Sequence, residues 1–258
     1  SSRVSVFFID EDQIVRTSDV GSVELIRKCA KEEGSTVLCG DELNLVSQFR
    51  CNGSDGYLAF LDNLLGIRKT ANSRLDIDYD IQVFDSPCKM RDALREKNRV
   101  ANKSRMIAGY CYDWVSKKDR NRYDIILPDG FRAQWNFSDT ATWAIDDDSF
   151  EQVGCIHTSQ GLEFDYVGII IGKDLVFRDG EVQTDFLARA KTDTSLKGIK
   201  SSRNYALADR IIRNTYRTIL SRGQKGCFIY CEDKALGDYI KRQLHLVRTS
   251  LNKKSIRP

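Results

Sequence analysis

Apolar residues in this chain fall into short contiguous runs separated by stretches with helical spacing, the alternation that strand–helix–strand units produce. The run Val4-Ser5-Val6-Phe7-Phe8-Ile9 is β-rich and ends in Asp10-Glu11-Asp12-Gln13, as a buried strand delivering acidic residues to a sheet edge would. Val23, Ile26 and Ala30 share one helical face and Gly34 supplies a stop, so a helix is predicted over 20–33 and a short strand over 36–39. The spacing of Tyr57, Leu58, Leu61, Leu64 and Leu65 predicts a helix over 53–65, with Ser54 and Asp55 as capping side chains. A strand over 81–84, a helix over 90–100 opened by Ser86-Pro87, and a strand over 105–110 complete a β-α-β pattern, which implies a parallel sheet.

The stretch 112–150 is rich in Asp, Asn and Trp and lacks a clear period, so it reads as an irregular insertion with a few short strands. Strands over 153–157 and 166–172 flank the polar turn Thr158-Ser159-Gln160-Gly161. Tyr205, Ala208, Ile211, Ile212, Tyr216 and Ile219 predict a helix over 202–221, with Gly223 as its stop, followed by a strand over 226–230 and a helix over 234–244. The fold class is α/β, a parallel sheet flanked by helices.

Composition narrows the classes. With 258 residues, 41% hydrophobic and 30% charged, the chain can bury a real core. No apolar stretch reaches the roughly 18 residues of a membrane helix, and the start lacks signal-peptide regions, so a soluble, cytoplasmic protein is expected. The eight cysteines include no C-x-x-C pair, which fits a reducing compartment and argues against a zinc site. A net charge of +3 does not by itself imply nucleic acid. Basic residues do gather over 97–105, 117–122, 189–203, 210–225 and 248–257, each of which reads either as a solvated face or as a phosphate-binding patch. Tyr110, Tyr112, Trp114, Trp135 and Trp143 among them could stack on bases or pack a core.

A strand ending in Asp-Glu suits a nucleotide hydrolase, because one carboxylate can orient the water shell of magnesium while the second accepts a proton. Asp10 and Glu11 fit those roles, and Gln13 could sense the terminal phosphate; the same residues also make an ordinary loop. Four segments together, Val6 to Gln13, Ser47 to Leu58, Cys155 to Gly168 and Asn214 to Gly223, resemble in order and spacing the Schlafen-group-3-like DNA/RNA helicase family, and also the motifs of UvrD-type superfamily 1 helicases. The resemblance implies a RecA-like, P-loop NTPase fold with ATP and Mg2+ as cofactors and nucleic acid, DNA or RNA, as partner. It implies magnesium coordination by Asp10, a general-base role for Glu11, a γ-phosphate contact from Arg50 and an arginine finger at Arg222. The turn His157-Thr158-Ser159-Gln160-Gly161-Leu162-Glu163 resembles motif V, which places Gln160, Gly161 and Glu163 at the nucleotide and His157 and Thr158 at the nucleic-acid backbone. Gln160 stands where many family members carry Lys, which leaves a charge contact to phosphate open.

No G-x-x-x-x-G-K-[ST] phosphate loop occurs in the chain. The resemblance therefore implies a fragment: 1–46 as the remnant of a first RecA-like domain and 47–258 as the second, with the loop supplied upstream and little ATP turnover by the fragment alone. An ATP-independent nucleic-acid-binding scaffold is the alternative, and a magnesium nuclease built on Asp76, Asp78, Asp80 and Asp85 is a weaker one.

Overall fold

In a computed structural model, the described residues are 2–19, 21–40, 43, 55–69, 79–138, 140–159 and 161–254. In chain order the main elements are α1 (Val23–Glu32), α2 (Asp55–Leu64), β1 (Asp80–Phe84), α3 (Pro87–Ala101), β2 (Ser104–Ala108), β3 (Ile125–Ile126), β4 (Arg132–Ala133), β5 (Val153–Gly154) and α4 (Ile156–Ser159). They continue with β6 (Phe164–Ile171), β7 (Leu175–Arg178), β8 (Glu181–Thr184), α5 (Ile199–Ser202), α6 (Tyr205–Leu220), β9 (Gly223–Cys231) and α7 (Lys234–Lys254). Local chemistry explains α3 well. Ser86 Oγ accepts the Lys89 amide, Pro87 occupies the first turn, and Asn102 ends the helix in a left-handed conformation while Met90 and Leu94 are buried.

Five strands form one parallel sheet in the order β1-β9-β6-β2-β5. Every residue of β2 is buried, as are Val167 to Ile171 of β6. Successive strand residues point to opposite faces, so both faces are covered, and α3, α6 and α7 pack against the sheet. The expected α/β class is therefore what forms, a parallel sheet flanked by helices as in a RecA-like fold. The stretch 112–150 is irregular as anticipated, with the short β3–β4 pair and a 3-10 turn over Asp147–Glu151.

Four local expectations are corrected. The apolar run at 4–9 forms no strand, and Val4, Val6, Phe7 and Phe8 are exposed, Phe8 by 81%. A strand exists only through a neighbour's hydrogen bonds, and none of the described strands pairs with this run. The stretch 36–39 is irregular for the same reason. The strand predicted over 153–157 stops at Gly154, because the Cys155 carbonyl accepts the Ser159 amide at 3.1 Å and closes the turn α4. Gly223 does not stop α6, whose cap is Ser221; it opens β9, where a Cβ would meet the Gly226 carbonyl at 2.2 Å beside a register shift against β6.

Candidate nucleotide and nucleic-acid site

Because all five strands of the main sheet are parallel, their C-terminal ends share one edge, the edge at which open α/β sheets bind ligands. β2 leads there to Tyr110, β5 to His157 and β6 to Asp174. The Tyr110 hydroxyl lies 2.7 Å from His157 Nε2, and the Arg16 guanidinium meets the same nitrogen. Arg189 lies over the Tyr110 ring at 4.9 Å and donates to Asp174 at 2.6 Å and to Ser195 at 2.9 Å. Tyr216 of α6 donates to the same Asp174 and accepts the Gly172 amide at 3.0 Å. Burial works against the Arg189 charge, but Asp174 and Asp193 override it and hold the guanidinium above its ordinary value. Burial, reinforced by Asp174, pushes the Tyr216 phenol well up, so it stays a donor. One polar chain thus runs from α6 through Asp174, Arg189 and Tyr110 to His157 and Arg16.

The acidic turn docks on α6. Asp10 caps it, accepting the Asp12 amide at 3.0 Å and the Gln13 side chain at 2.6 Å. Glu11 accepts the Val23 amide at 3.1 Å and lies 3.8 Å from Arg210. Asn214 donates to the carbonyls of Glu11 at 3.4 Å and Ile14 at 3.1 Å. Asp12 pairs with Arg68 at 2.5 Å and approaches Arg217 at 3.7 Å, and buried Asp62 joins both arginines at 3.0 and 2.5 Å. Thr17 then binds the Ser195 and Lys197 carbonyls. Sequence reasoning missed Arg210, Asn214 and Arg217, although their spacing on one helical face is a legible signal.

The turn after α4 separates two roles. Thr158 is buried, donates to Asn136 at 2.5 Å and accepts the Cys155 amide at 3.4 Å, so its side chain points inward. Gly161 has φ +81°, a conformation that a side chain resists. Glu163 and Arg222 flank the paired residues Phe164 and Gly223, and Glu163 accepts from Gln224 at 3.1 Å. They therefore stand at the sheet edge opposite His157. Arg222 is only 5% exposed. Arg50 and Gln160 lie outside the described residues.

A family model described as Schlafen group 3, DNA/RNA helicase domain matches residues 1–233. The chain belongs to this family. It is also 25% identical over 173 residues to an uncharacterized protein, YPL245W, of Saccharomyces cerevisiae (strain ATCC 204508 / S288c), a match that covers 64% of this chain and 37% of that protein. The chain thus spans well under half of that relative.

In this Schlafen group 3 domain the other candidates are occupied structurally. Tyr110, Tyr112, Trp135 and Trp143 are buried and pack the core, so their ring faces are already covered and cannot stack on bases. Asp80 pairs with Lys97 at 2.9 Å and Asp85 with Lys241 at 2.5 Å, while Asp76 and Asp78 lie outside the described residues. No helix among the described residues is long and apolar enough to cross a membrane.

Proposed function

We propose that this domain is the ATP-sensing and nucleic-acid-contacting part of a DNA or RNA helicase or translocase, working with a phosphate loop and first RecA-like domain elsewhere in the protein. The observation that carries this reading is the docking of the acidic turn 10–13 on α6, the helix whose end leads to Arg222 beside Glu163. Asp10 and Glu11 offer exposed or half-buried carboxylate oxygens, the donor type magnesium prefers, and Asp10 would hold the ion through water. A bound magnesium would neutralise phosphate charge. Glu11 would take a proton from the attacking water, Gly161 and Glu163 would meet the nucleotide, and His157 would face the nucleic-acid backbone. Arg210 and Asn214 would position Glu11 through its backbone carbonyl.

The test is ATP hydrolysis by the full-length protein with and without single-stranded DNA and RNA, compared with Glu11→Gln and Arg222→Ala. Stimulated turnover should fall by about a thousandfold in Arg222→Ala, the scale of an arginine finger, and be lost in Glu11→Gln. The burial of Arg222 favours a second reading, an ATP-independent nucleic-acid-binding scaffold. Turnover that is absent throughout would establish that reading instead, and turnover unchanged in both variants would take Glu11 and Arg222 out of the catalytic site.

A further inference from the structure

We infer that the basic turn over 117–122, in the irregular insertion, is a docking rim for the phosphate backbone of a single nucleic-acid strand. Lys117, Lys118, Arg120 and Arg122 are all exposed, with only Asp119 among them. The ion pairs formed among the described residues use none of these four. Asp119 itself accepts the Asn121 amide at 3.1 Å. Surplus positive charge therefore faces solvent, where it attracts phosphate.

The turn that carries these cations is held in place. Asp124 accepts the Ser116 and Trp135 amides, each at 2.7 Å, and Gln134 donates to the carbonyls of Arg120 and Arg122. Lys117 lies over Trp114 at 4.6 Å and Arg120 over Phe137 at 3.9 Å, which fixes their stems. A strand that binds a pre-ordered turn loses less conformational entropy on docking. The buried rings missing as stacking platforms are replaced here by Tyr123, next to Arg122 and 47% exposed. Cations plus an available aromatic face are the combination that single strands use. The rim is also tied to His157: Trp114 packs edge-on to Trp135 at 6.1 Å, Trp135 to Tyr110 at 5.9 Å, and Tyr110 reaches His157. A strand on the rim would thus press on the turn that the proposed function assigns to nucleic acid, and the inference rests on that reading.

Fluorescence anisotropy of the full-length protein with labelled oligo(dT) and oligo(U), across a salt series, tests it. Replacing Lys117, Lys118, Arg120 and Arg122 by Ala should weaken binding at least tenfold near 0.1 M salt. The slope of log affinity against log salt should fall by roughly 0.7 for each phosphate no longer neutralised. Exchanging the four for the other basic residue (Lys→Arg, Arg→Lys) should restore both. Tyr123→Ala should cost roughly fivefold or more in affinity with the slope unchanged. Binding by the wild type that the fourfold Ala variant keeps, with circular dichroism showing it folded, sinks the rim alone. No binding by the wild type sinks the rim together with the nucleic-acid reading. Poly-glutamate competing as well as the oligonucleotides would replace a nucleic-acid partner by an acidic protein one.

Discussion

Arg105 is fully buried, yet its guanidinium leaves no donor idle. Nε donates to Ser149 at 2.6 Å, one terminal nitrogen to Asn98 at 2.9 Å and the Ser104 carbonyl at 2.8 Å, the other to Asn102 at 3.0 Å and the Asp146 carbonyl at 2.9 Å. All five acceptors are neutral. Burial pushes the group down to about 10, against the pull of Asp146 and Asp147, so it remains charged at neutral pH. One side chain thereby fastens the irregular insertion to β2 and to the end of α3. Lysine has three donors and no planar fork, so Arg105→Lys should orphan at least two acceptors and lower unfolding free energy by about 2 kcal/mol, read from urea denaturation. An unchanged midpoint would show that water replaces the missing donors. Single residues of this kind were not legible in the sequence: an arginine at a strand end looks solvated until the residues that surround it, 44 positions away in the case of Ser149, are known. Asp10, Glu11 and Arg222 stood out as candidates because their segments follow a recognisable order, although the strand expected before Asp10 does not form.

At the scale of elements, α6 decides how the acidic turn is held. Arg217 shares Asp62 and Asp12 with Arg68, and Asn214 takes the turn's carbonyls. Arg217→Ala should loosen 11–19 while leaving the sheet intact. Hydrogen exchange at Gln13 and Thr17 should accelerate by about tenfold or more, with β6 amides unaffected. Equal acceleration in both places would mean that Arg217 supports the whole core instead. The helices were largely readable from their apolar spacing and, for α3, from Ser86-Pro87, whereas Ser22 and Asn204, which cap α1 and α6 by accepting an amide hydrogen bond, were not singled out. The β7–β8 hairpin was not assigned, although Asp179-Gly180, both at positive φ, is a hairpin signal. The run at 4–9 misled for the opposite reason: its residues are those of a strand, but pairing is a property of the neighbour and not of the run.

Over the whole molecule, cysteine exposure offers a map of what is core. Cys29 and Cys39 are exposed free thiols, whereas Cys155, Cys227 and Cys231 are buried, and burial pushes the Cys231 thiol far up. A thiol reagent at neutral pH should modify the first two within minutes and the last three only as fast as the protein opens globally, as mass spectrometry of peptides would show. Rapid labelling of Cys227 under native conditions would contradict the central place of β9. That place could not be read from sequence order, because the parallel pattern predicts a sheet and not the sequence of its strands. β9 lies between β1 and β6, so Asp80 is joined to Gly226 across more than half of the chain, and Val167 to Cys227 over a shorter separation. On the ribosome, at about 5–20 residues per second, β1 therefore waits roughly seven to thirty seconds for its neighbour to be made. In the later part of that interval β6 also carries a bare edge, so the nascent chain must be shielded until β9 emerges.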